Sequence, residues 1–123
     1  MPMLSYGAGT ASTNLGFGSN AFLAVMQAAA YERFKEGRGF FITMEGLDDN
    51  GQQVSASHWI SPAVPVRFTY DTRDDTGEPI RPFELEDQLV REMAEFMERP
   101  CGVIVGYTEE SGINIPFVPL PNA

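Results

Sequence analysis

One histidine, one cysteine and one lysine are the chain's whole supply of imidazole, thiol and primary amine side chains. Nucleophilic catalysis needs a nucleophile with a base in hydrogen-bond reach, so Cys101 with His58 is the one dyad on offer. Cys101 follows Pro100 and precedes the apolar run Gly102-Val103-Ile104-Val105-Gly106-Tyr107, where a free cysteine acts as a small hydrophobe. Zinc needs three or four nitrogen or sulfur ligands, which the chain cannot supply without carboxylates. Asp48, Asn50 and Gly51 echo a calcium loop, but the rest of its spacing and its closing glutamate are missing. A hydrolase built on two carboxylates has seventeen acids to draw from, and no spacing singles out a pair. Gly16-Phe17-Gly18-Ser19-Asn20-Ala21 fits the letters of the dinucleotide-binding fingerprint, which also needs a strand before it and an acid about 20 residues on. Thr10–Leu15 makes a poor strand and Glu45 lies too far along, so a turn and a helix cap are expected there. No cofactor and no metal are expected.

A second set of residues could act by binding. Asp71, Asp74, Asp75, Glu78, Glu84, Glu86 and Asp87 fall within seventeen residues, with Arg73 and Arg81 the only basics among them. His58 and Trp59 form the other candidate surface, in the stretch Ser55–Tyr70 that holds the chain's only His and only Trp. The net charge of −9, from 17 Asp and Glu against 8 Lys and Arg, opposes a phosphate backbone, whose binding rests on cationic side chains. Direct nucleic-acid binding is therefore not expected. The acidity serves solubility or meets a basic protein partner, including one whose nucleic-acid site it occupies. The expected function is non-enzymatic, through protein–protein interaction. A small-ligand or nucleotide-binding domain, or a carboxylate-based enzyme, is the alternative.

The elements that would position these residues read as a single α+β domain over residues 1–123, in the order β-α-β-β-β-α-β-β, with a mostly antiparallel sheet and two helices on one face. Leu4-Ser5-Tyr6 suggests a short strand. Ser19 or Asn20 caps a helix through FLAVMQAAAYERFKE, with Leu23, Met26, Ala30 and Phe34 on its apolar face and Gly37 as its stop. The charges Glu32, Arg33, Lys35 and Glu36 would solvate its end. Phe40, Ile42 and Met44 share one face of a strand, and Asn50-Gly51 turns it back into Gln52–Ile60. After the Ser61-Pro62 corner, Val64, Val66, Phe68 and Tyr70 alternate as a half-buried strand. The polar loop 71–82 is expected to be exposed and mobile, and Pro82 to open a second helix over FELEDQLVREMAEFMER that ends at Pro100. Its outward face would carry Glu84, Glu86, Asp87, Arg91, Glu92, Glu95 and Glu98, with Arg91 and Glu95 paired. Gly102–Tyr107 is a buried strand, and Ile113, Ile115 and Phe117 alternate in an edge strand limited by Pro116 and Pro119. That apolar edge suggests a homodimer.

The chain also resembles, over most of its length, an uncharacterised family of small actinobacterial proteins. An opening Tyr6-Gly7 element, a helix end KEGRGFFITM at Lys35–Met44, the stretch HWISPAVPVRFTY at His58–Tyr70, and a closing helix before a Gly-Val-Ile strand carry the resemblance. Members of that family often bear the label ATP-dependent DNA ligase. A ligase nucleophile would require Lys-x-Asp-Gly, whereas the only lysine here reads Lys35-Glu36-Gly37, so the resemblance implies a fold and no known activity.

At 123 residues one domain can bury about two-thirds of its unfolded surface without staples. The lone Cys101 has no partner in the chain, which fits a reducing compartment. There is no apolar run of about 18 residues to span a membrane. The N-terminal MPMLSYGAG lacks the basic and apolar regions of a secretory signal, so the expected home is the cytoplasm.

Overall fold

The structure, a computed structural model, describes residues 1–8, 12–47, 50–80, 84–108 and 113–116. These form β1 (Met3–Tyr6), β2 (Thr13–Gly16), α1 (Asn20–Lys35), β3 (Phe40–Leu47), β4 (Gln53–Ile60), β5 (Val66–Thr69), α2 (Asp87–Met97), β6 (Val103–Thr108) and β7 (Ile113–Pro116). The α+β class, the two helices and the mostly antiparallel pairing agree with the sequence reading. Two features differ. The strands divide between two sheets, β2-β1-β5 and β4-β3-β6-β7, in place of one. A strand the sequence did not suggest, β2, follows β1 because Leu15 pairs with Leu4 and is buried against it. One apolar position in four is too short an alternation to be read from the letters.

The division into two sheets happens at the proline corner. Ser61 turns the chain, its carbonyl accepting from Val64 N–H and its hydroxyl from Ala63 N–H. Beyond the turn, β5 leaves β4 and pairs antiparallel with β1, setting Phe68 opposite Leu4. Val66, Phe68 and Tyr70 are half-buried and Arg67 and Thr69 exposed, as expected, but Val64, expected in the same strand, stays exposed in the turn that its N–H closes on Ser61.

The Asn50-Gly51 turn, with Gly51 at φ 76°, sets β4 against β3 in an unbroken eight-residue ladder from Phe40↔Ile60 to Leu47↔Gln53. On the other side of β3, β6 runs parallel and sets Val103 by Ile42 and Val105 by Met44. Phe40, Ile42, Met44, Ile60, Val103 and Val105 are buried together with Leu23, Met26 and Ala30 of α1 and Met93 and Met97 of α2. Phe41, Trp59, Ser57, Glu45 and Ile104, which project from the opposite face, are partly or fully exposed. Both helices thus cover one face of the larger sheet. Leu4 of the expected short strand belongs to the same core, and so do Leu15 and Phe17, whose surroundings the sequence marks as turns.

Ser19 caps α1, accepting from Phe22 N–H at 3.1 Å. The helix ends in a Schellman arrangement, with Arg38 N–H reaching Arg33 C=O and Gly37 left-handed at φ 72°. The second helix is shorter than its apolar pattern suggests, starting at Asp87 with no side-chain cap from Glu86. The expected start at Pro82 lies outside the described residues, as do the turn at 109–112 and Phe117. After α2 the chain passes Pro100 to Gly102, left-handed at φ 65° and packed so closely on β3 that a Cβ there would sit 1.8 Å from the Phe41 carbonyl oxygen.

Candidate functional site

His58 and Trp59 are neighbours on β4, and a strand sends neighbours to opposite faces. Tyr6 of β1 meets His58 Nδ1 through its hydroxyl at 2.7 Å, edge-on at a ring separation of 5.9 Å. This contact ties the two sheets together. Burial holds the imidazole below its ordinary pKa, and the tautomer of the neutral ring decides which of the two groups donates. Trp59 turns to the open face, 52% exposed, packed on Phe41 at 4.9 Å and over Gly39, where a Cβ would lie 2.7 Å from the indole. The two residues read together from sequence are therefore not brought together.

The acidic segment separates in the same way. Asp71 is structural: its carboxylate pairs with the N-terminal ammonium at 2.8 Å, and both Asn20 amide atoms bind its backbone, at 2.8 and 3.0 Å. Asp74 folds the next residues into a small hairpin. One of its carboxylate oxygens accepts from the Thr76 hydroxyl and from the Thr76 and Glu78 amides, while its own N–H donates to Glu78 C=O and Arg73 bridges to Pro79. The Thr76 hydroxyl, with these amides, holds the carboxyl below the usual carboxylate range. Residues 72–80 of the loop thus form a hydrogen-bonded turn, and every residue from Thr72 to Ile80 is exposed, as expected. Asp75 and Glu78 reach solvent there. Glu84, Glu86 and Asp87 are exposed at the start of α2, where negative charge suits the helix dipole.

Arg33 and Glu98, both assigned to solvent by sequence, bind each other. Arg33 is buried, and its guanidinium donates to Gly39 C=O at 3.2 and 2.8 Å and to Glu98 at 2.7 Å. Arg38 donates to both oxygens of Glu98 at 2.7 Å. Arg38, then Arg33, keep the Glu98 carboxyl below its ordinary range. Arg91 donates to Gln88 in place of the expected pair with Glu95. The signal for Arg33 was its position: it falls on the buried side of α1, next to Ala29 and Ala30.

Glu98 joins the C-terminal ends of α1 and α2. At the other end, Ala21, Phe22 and Val25 of α1 line a cleft of about 310 Å³ with Leu89, Glu92, Met93 and Phe96 of α2. The helices therefore run side by side in the same direction. Leu89, which lines this cleft, is 44% exposed, and Leu85, just before α2, is 41% exposed, so the apolar pattern outruns the core. A second cleft, lined by Asn20, Ala21, Asp71 and Ile80, adjoins it at Ser19 and Ala21. Residues 71–98 hold ten of the seventeen acids and three of the eight basics, a local charge of −7 in the total of −9.

The remaining chemistry finds no support in the geometry. β2 and α1 flank the Gly16–Ala21 segment, but β2 is antiparallel to β1, Phe17 is fully buried, and the Asp71 backbone is held against the helix start by both amide atoms of Asn20. His58 and Cys101 lie on opposite flanks of β3: His58 is engaged by Tyr6, and the Cys101 carbonyl accepts from Thr43. Among the described residues no three His, Cys, Asp or Glu converge as metal ligands. Lys35 pairs with Glu32 at 3.0 Å and lies over the Tyr31 ring. No helix among the described residues is long and apolar enough to cross a membrane.

No curated protein and no solved structure matches this chain. One family model does, over residues 1–107, a span that takes in both helices, the Tyr6–His58 contact and the cleft. On that match the chain belongs to the family described as a domain of unknown function, DUF7882.

Proposed function

We propose that the protein acts without chemistry of its own, as an acidic docking module for a basic protein, and that the partner seats in the cleft between the first turns of α1 and the Leu89–Phe96 side of α2. The observation that carries this reading is an apolar floor beside concentrated negative charge. Phe22, Val25, Leu89, Met93 and Phe96 line the cleft with Glu92 as its one charged wall, and Glu84, Glu86 and Asp87 lie at the same end of α2. The segment that suits such a site is an amphipathic helix whose apolar side chains enter the groove while Lys or Arg meet the carboxylates. Basic helices of this kind occur on nucleic-acid-binding proteins, whose site the acidic surface would then occupy. The lone cysteine suits a cytoplasmic setting for this role.

The test uses a synthetic helical peptide with Leu at helical spacing and Lys on its other face, and a twin with Glu for Lys, followed by fluorescence anisotropy. The Lys peptide should bind and the Glu peptide should not. Converting Asp75, Glu78, Glu86 and Glu92 to their amides, while keeping the structural Asp71, Asp74 and Glu98, should slow association and flatten its salt dependence. Leu89→Asp should weaken binding about tenfold or more, which is about 1.4 kcal/mol. Equal binding of both peptides, or of neither, would overturn the proposal. Stabilisation by small apolar compounds, with neither peptide binding, would favour the small-ligand alternative.

A further inference from the structure

We infer that the free edge of β4 is the docking site for a second copy of this chain, which extends the four-stranded sheet across a two-fold axis. The inference uses a different surface from the cleft and does not depend on it. β4 ends its sheet, with β3 as its only neighbour. Among the described residues, no backbone group of Gln53–Ile60 bonds to any other segment. Proteins blunt such edges with lysine, proline, bulges, short length or a covering element. β4 has none of these: it is eight residues of QVSASHWI, uncharged and proline-free, and its ladder with β3 has no bulge. The other free edges are protected. β7 is four residues and contains Pro116, β5 is four residues with Arg67, and β2 is four residues. The homodimer expected from sequence at Ile113–Phe117 therefore moves to the opposite edge of the same sheet.

Charge points to the same strand. A chain of net charge −9 can meet its own copy only where like charges stay apart, and Asn50–Val66 contains no Asp, Glu, Lys or Arg. Antiparallel pairing of β4 with β4 is self-complementary, as a two-fold interface must be. Ser55, Ala56 and Ser57 lie at its centre, all exposed, and their small side chains let two strands reach the sheet spacing of about 4.8 Å. A two-fold axis perpendicular to the sheet sets the helices of both copies on one side and both open faces on the other. The exposed Trp59 of each copy then lies beside the seam. The product is a continuous eight-stranded sheet.

Sedimentation equilibrium of the full chain should give twice the 13.5 kDa chain mass, and dilution should red-shift the emission of Trp59, the only tryptophan. Ala56→Lys, which sets two cations face to face at the axis, should give the single-chain mass with an unchanged circular dichroism spectrum. If that variant loses its fold, Ser55→Lys takes its place. In a Cys101→Ser background, Ala56→Cys or Ser57→Cys should form an intermolecular disulfide on mild oxidation, because opposed antiparallel Cα atoms lie about 4.5–5.5 Å apart, within disulfide reach. Thr69→Cys, on the β5 edge, should not. A single-chain mass through the millimolar range, or a dimer that survives the lysine variants and forms no cross-link at 56 or 57, would overturn the inference.

Discussion

Arg33 shows how much a single side chain can anchor. Arg33→Ala would strip the half-buried Gly39 carbonyl of its donors, and an unsatisfied acceptor costs up to about 1–3 kcal/mol when water is kept from it. Urea unfolding should show a loss of that size, and Arg33→Lys should not restore it, because a point charge cannot reproduce the guanidinium fork. Glu98 adds a pH signature. Its folded pKa is depressed by Arg38 and Arg33, so its contribution is complete above the ordinary carboxylate value and is lost as pH falls through the folded one. The stability difference between the parent and Glu98→Gln should shrink on acidification. His58 is depressed as well, by burial; its neutral form favours the fold above the ordinary value of 6.5, and that advantage is lost as pH falls through the folded value. Proton NMR of this only histidine should show the lowered pKa. Glycines divide similarly. Gly37→Ala meets nothing within 4 Å and should cost only the left-handed penalty of about 1–2 kcal/mol. Gly102→Ala drives a methyl into the Phe41 backbone and should lower the melting temperature far more.

At the scale of elements, the sequence was most legible where one period ran uninterrupted. In β3 the faces of Phe40, Ile42 and Met44 against Phe41, Thr43 and Glu45 read directly, since burial of one face is what selects the alternation. Phe40→Ala should therefore cost about 3–5 kcal/mol in denaturant unfolding, and Phe68→Ala, on a half-buried strand, distinctly less. α2 was legible as a helix but not in its extent. Periodicity reports that a face is apolar without saying what covers it, so Leu85 and Leu89 look like core in the letters and stand exposed in the fold. The acidic segment was visible as composition, yet the split of Asp71 and Asp74 into structural roles depends on Asn20, the N-terminal ammonium and Thr76. Those partners come from hydrogen-bond geometry that no spacing rule encodes. Two sheets instead of one follow from the Ser61-Pro62 corner, which marks a change of direction but not the strand the chain meets next.

Over the whole molecule, the parallel course of α1 and α2 aligns their dipoles, and the side chains offset that alignment. The positive ends face the acids of residues 71–87, while Arg33, Arg38 and Arg99 gather where the helices end. The domain thus has an acidic pole, while at its other end Arg33, Lys35, Arg38 and Arg99 are balanced by Glu32, Glu36, Glu95 and Glu98, and a cationic partner of the proposed kind would be steered to the acidic pole. The sheet order has a further consequence, in time and not in space. β1, the middle strand of its sheet, pairs with β5, so Leu4 waits for Phe68; β3 pairs with β6, so Ile42 waits for Val103. Both closures join positions some 60 residues apart, and non-local pairing of this kind slows folding. A nascent chain on the ribosome can form α1 and the β3–β4 hairpin early, but neither sheet can be completed until its distant strand has emerged, which leaves the edge of β3 that β6 will cover open until Val103 arrives.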